Sequence, residues 1–147
     1  MKINNKDILC VLYTAKAKFI VDRNTTNYGF GMCFYIQNCI SFIFNTHIYY
    51  SDIKNIIPEF IPETFGLNVE YPHLWWNIED IDSRIKAFNK LIEIYKNKIN
   101  EVDIIKNIDL ELPEKIGLIV EDPNSINNKI KQFNALNEWN KKCNGPK

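Results

Sequence analysis

"YPHLWWNIEDIDSRIKAFNKLIEIYK", residues 71–96, decides the fold class. Within it Ile78, Ile81, Ile85, Phe88, Leu91, Ile92 and Tyr95, continued by Ile99, recur at intervals of three and four. That is the spacing of one apolar face of an α-helix, and it predicts a helix over 78–99. Asn77 can cap its start, and Asp80 stands where a capping box closes. Acids lead and lysines trail, which suits the helix dipole. Asp82 and Lys86, four apart, can pair on the wet side.

Upstream, Ile8, Leu12, Ala15 and Phe19 predict a first helix over 5–21, capped by Asn4 or Asn5 and favoured by Asp7 near its start. "DRNTTNYGFG" breaks it with turn formers. A second helix over 30–45 is apolar on most sides, with Gln37, Asn38, Ser41 and Asn45 forming one narrow polar stripe. A helix of that pattern is expected at the centre of the fold, and its stripe needs partners or solvent. "SDIKNII" predicts a short helix capped by Ser51 or Asp52 and stopped by Pro58. Residues 58–76 follow as a long, aromatic connection.

Downstream, "IDLEL" and "KIGLIV" are strand-like runs that would form a short β-hairpin near 108–120. The last helix starts from Asp122, takes Pro123 in its first turn, and carries Ile126, Ile130, Phe133, Leu136 and Trp139 at helical spacing. The expected fold is therefore mainly α, a single-domain helical bundle of about four longer helices. Residues 1–100 form the core. Residues 101–147 form an extension that packs on the core or on a partner.

Composition narrows the function. With 46% hydrophobic residues in a chain of 147, the sequence can bury a core of its own. Residues 1–100 carry 11 basic and 10 acidic side chains, and residues 101–147 carry 7 and 8. Neither part has the basic excess that tracks a phosphate backbone, so no nucleic-acid partner is indicated. The longest apolar run, "MCFYIQNCISFIF", is too short to span a bilayer. "MKINNKDILC" lacks an apolar leader segment, so a cytoplasmic setting with reduced thiols is expected.

No cysteine pair or histidine pair has metal-ligand spacing, and no cofactor is implied. Cys33, at a helix N-terminus after Gly29 and Gly31, would be a nucleophile with His47 or His73 as base if its thiolate were stabilised there. Buried small hydrophobes are the commoner role of such cysteines. Glu79, Asp80 and Asp82 fit dipole partners in a first helical turn better than catalytic acids.

Two surfaces are candidates for binding. Trp75 and Trp76 are adjacent and cannot point the same way, so one is expected in the core and the other nearer the surface, unless both pack under the long loop. With Tyr71, His73 and Arg84 they would suit a planar, anionic ligand such as a nucleotide, or a protein hot spot. Alternatively Ile126, Ile130, Phe133 and Trp139 would face a neighbouring chain in a homo-oligomer or assembly.

The order "KDILCVLYTAKAKF", "GMCFYI", "IPEFIPE", "WW" and "SRIKAFNKLIEIYK", over about residues 5–98, resembles small proteins of tailed phages and of prophages of gut bacteria. The Asn-, Ile- and Lys-rich composition, drawn from AT-rich codons, fits such a source. The resemblance brings no catalytic residues. It implies an accessory protein that blocks a host defence protein or sequesters a small nucleotide-like signalling molecule inside the host bacterium. The alternative role is a virion structural or packaged component.

Overall fold

The computed structural model describes residues 3–25, 32–65, 81–99 and 111–144. Among these the chain is helical, with no strand. The elements are α1 (Asn5–Thr25), α2 (Met32–Phe44), a 3₁₀ turn (Tyr50–Asp52) running into α3 (Ile53–Ile56), a second 3₁₀ turn (Pro62–Phe65), α4 (Ile81–Lys98), α5 (Leu112–Lys115) and α6 (Ile126–Asn144). A mainly α bundle is the fold.

The centre is α1, not α2. Helix α1 packs against α2, α4, α5 and α6. Its buried residues include Ile8, Leu9, Val11, Leu12, Ala15, Phe19 and Val21. With the other buried residues these take up most of the helix surface, and Lys6, Tyr13, Lys16, Ile20 and Arg23 form a narrow, partly exposed stripe. Asn4 starts it: the Asp7 N–H donates to Asn4 Oδ1 at 2.9 Å.

Burying most of a helix also buries some of its polar residues. Lys18 is 1% exposed. Its Nζ sits 5.0 Å from the centroid of Phe34, 5.2 Å from Trp139 and 5.5 Å from Tyr35. Three π faces offset part of the cost of holding an ammonium away from water. One turn on, Asp22 accepts a hydrogen bond from the Tyr35 hydroxyl.

Helix α2 ends in a left-handed residue. Asn45 has φ 48°, and the Thr46 N–H closes back onto Ser41 O at 3.3 Å. This is the usual way a helix end satisfies its last carbonyls. The following segment runs back along α2, because Gln37 Nε2 donates to Ile48 O at 2.7 Å. The stripe on α2 therefore works partly as a guide for the chain that returns over it. The start of the next turn is set by Asp52, whose Oδ2 accepts from the Tyr49 N–H at 2.9 Å.

Helix α4 lays Phe88, Leu91, Ile92 and Tyr95 into the core, and Ile99, directly after it, follows them. The expected cap at Asn77 and Asp80 and the residues Ile78 and Glu79 lie outside the described residues. So do the side chains of Ile81 and Asp82, and Gly29 and Gly31.

The hairpin expected near 108–120 is overturned where the structure describes it, over 111–120. Pro113 opens a single helical turn, α5, and Gly117 stops it with φ 88°. The Gly117 and Leu118 N–H groups bond back to Glu114 O and Pro113 O at 3.1 and 2.8 Å. A Cβ on Gly117 would meet Ala135 Cβ at 3.4 Å, so the turn also sits close against α6. Proline at the front and glycine behind make a helical turn, not a strand. Gln132 Nε2 then donates to Leu118 O at 3.1 Å, fixing this turn to α6.

The last helix also begins later than expected. Asp122 caps a turn, accepting from the Asn124 N–H at 3.2 Å. The first helical bond runs from the Lys129 N–H to Ser125 O at 2.9 Å. Pro123 lies before the helix, and Ser125 occupies the N-cap position. Leu118, Leu136 and Trp139 share one apolar cluster with α1, α2 and α4.

Candidate functional site

Helix α6 is apolar on two sides about 120° apart round its axis. One side buries Leu136 and Trp139, with Trp139 1% exposed. The other presents Ile126, Ile130 and Phe133, which are 77%, 55% and 45% exposed. Four and three residues apart, these three stand in one row. Beyond the row α6 carries Lys129, Lys131, Lys141 and Lys142 against the single acid Glu138. Glu138 and Lys141 approach at 3.9 Å with both side chains in solvent, which contributes little. The helix is thus a positively charged segment of a neutral chain.

Scattered exposed apolar residues need no explanation, but a row of three large ones on one helix face does. Burying a side chain of this size on association is worth roughly 1.5–3 kcal/mol. Ile119 is exposed as well, on the turn that precedes α6.

Trp139 does not belong to that row. Its indole stacks on Phe42 with centroids 4.5 Å apart and planes 16° from parallel. It anchors α6 to α2 and cannot face a neighbouring chain. Trp139 is therefore withdrawn from the surface expected of Ile126, Ile130, Phe133 and Trp139, of which the other three are exposed.

Of the other proposed contact residues, Tyr71, His73, Trp75 and Trp76 lie outside the described residues. Arg84 is not on a surface: it is 7% exposed, with its guanidinium carbon 5.7 Å from the Phe19 centroid. Its alkyl stem and planar head suit such a stacked site.

Cys33 is also buried, on the first turn of α2. Desolvation pushes its thiol up to about 12. The expectation that the helix end stabilises a thiolate fails, because burial in apolar surroundings outweighs a terminal dipole. His47 stays exposed, its ring edge-on to Tyr49 at 5.0 Å. Cys10 and Cys39 are buried too, and the Cys39 thiol donates to Val11 O at 3.2 Å. Among the described residues no three His, Cys, Asp or Glu side chains are grouped to hold a metal ion. No helix there is long and apolar enough to cross a membrane.

Sequence reasoning passed over one exposed group. Tyr49 and Tyr50 stand in solvent on the segment that returns over α2, next to His47. The signal was the run "THIYY" directly after a helix, where aromatics have no periodic face to join.

No family model, curated protein or solved structure matches this chain.

Proposed function

We propose that this chain is a non-enzymatic binding protein of the phage accessory type, which acts by occupying a host protein. The outer face of α6 is its contact surface. One observation carries the reading: α6 uses Leu136 and Trp139 to hold the core and still shows Ile126, Ile130 and Phe133 to solvent. A helix needed only to cover the core has no use for a second apolar row, whereas a helix-in-groove contact uses such a row as anchors. The lysines of α6 favour a partner whose groove is rimmed by acids. The phage setting is supported by the sequence resemblance over residues 5–98.

The test is capture from host cells with tagged wild type and an Ile130→Lys/Phe133→Ser double variant. The expected result is one stoichiometric host protein held by the wild type and lost by the variant, while circular dichroism and Tm stay the same. Equal capture by both would sink the role of α6.

The virion-assembly reading uses the same three residues. It predicts that the pure wild-type protein forms a discrete oligomer in sedimentation, and that the double variant is a monomer. The accessory reading predicts a monomer for both.

A further inference from the structure

A second feature lies away from the outer face of α6. Between α1 and α4 runs an open groove of about 360 Å³. That is the low end of the range for small-molecule sites. It has room for a ring and an acidic group, not for a polymer. Its lining mixes three kinds of chemistry. Tyr13 and Ile92 give an aromatic wall and an apolar floor, and Ile92 is buried. Lys16 and Lys96 bring two ammonium groups, against one carboxylate from Glu93. Asn89 and Asn97 add carboxamides at its edge.

The charge is held in place rather than left to wander. Lys96 Nζ lies 5.4 Å from the Tyr13 centroid. A cation resting on an aromatic face spends less of its time in bulk solvent. On α4, residues 89, 92, 93, 96 and 97 fall on one side at i, i+3, i+4, i+7 and i+8, so all of them reach the same groove. The net excess is one positive charge, in a chain whose overall charge is zero.

We infer that the α1–α4 groove binds a small aromatic anion, its ring against Tyr13 and Ile92 and its carboxylate or phosphate between Lys16 and Lys96. The two ammoniums provide attraction and the ring and floor provide the dry contact. The Asn89 and Asn97 amides are free to orient the ligand's polar edge. This site is independent of the α6 surface: either can fail without the other.

The experiment is a ¹⁵N–¹H NMR titration of the full chain with benzoate, adenosine 5′-monophosphate and neutral adenosine. Saturable shifts are expected for at least one of the two anions, at the Asn89 and Asn97 side-chain amides and at the backbone of Tyr13 and Lys16. Adenosine should leave them unmoved. Saturation by the monophosphate alone assigns a phosphate ester, and saturation by benzoate alone assigns a carboxylate.

Two variants on exposed positions give opposite signs. Lys96→Gln should weaken binding and Glu93→Gln should tighten it, each up to about fivefold, the size of one exposed charge contact. The inference is overturned if neither anion saturates by about 10 mM, if adenosine binds as well as the anions, if the shifts map elsewhere, or if Glu93→Gln weakens binding.

Discussion

The Trp139 indole and the Phe42 ring lie parallel, 4.5 Å between centroids, at the junction of α6 and α2. Lys18 Nζ stands over the same indole at 5.2 Å. One side chain therefore ties three helices together. Trp139→Ala should destabilise the fold by about 3–5 kcal/mol, the range for deleting a buried large aromatic. Urea unfolding followed by circular dichroism measures it. A loss under about 1 kcal/mol would mean that α6 is not anchored there.

The exposed side of α6 should behave in the reverse way. Ile126→Ser and Ile130→Ser remove exposed side chains and should change stability by no more than about 0.5 kcal/mol. Thermal unfolding decides it. A large loss from either would show that the row is packed rather than presented.

Glu59 joins the loop after α3 to α4, accepting from the Tyr95 hydroxyl and from Lys98 Nζ. Burial pushes its carboxyl up, but the hydrogen bonds from Lys98 and Tyr95 and the Lys98 charge bring it below the usual range. A lowered folded value means that the clamp is fully present above the ordinary carboxylate pKa and is lost as pH falls below it. Tyr95→Phe should cost about 1.5–3 kcal/mol at pH 7, as for a bond to a charged group, and clearly less near pH 3. A cost independent of pH would contradict the charged clamp.

Alkaline pH should act through Cys33. Its thiol is raised from 9.0 to about 12 by burial, so the unfolded chain loses the proton first. The stability this provides is present below pH 9 and disappears as pH climbs towards 12. At pH 8 the thiolate share in the fold is about one part in ten thousand. Site-resolved alkylation with iodoacetamide should leave Cys33 unlabelled in the native protein and label it in urea. Rapid native labelling would overturn its burial.

The same α6 residues show where sequence reading stops. Periodicity groups Ile126, Ile130, Phe133, Leu136 and Trp139 as one face. Yet each three-residue step falls about 60° short of a full turn. From Phe133 through Leu136 to Trp139 the row walks about 120° round the helix, from solvent into the core. Arg84 gives the converse lesson: a charged residue beside an apolar stripe reads as wet, while the structure lays it on Phe19. The candidate groove was illegible in the sequence, because Tyr13 and Lys96 are brought together only by the packing of α1 on α4.

The sequence by itself determined the helical class, the apolar face of α4 and an asparagine cap on α1 at position 4 or 5, because these depend on contacts within a few residues of each other. It also held the α5 turn, in Pro113 and Gly117, beneath a strand-like composition. Only the tertiary structure decided that α1 is the hub, that Lys18 and Arg84 go inside, and which side of α6 stays dry. Those outcomes depend on which helix meets which. Burial is a property of the neighbour as much as of the residue, and neighbours distant in the chain leave no local mark.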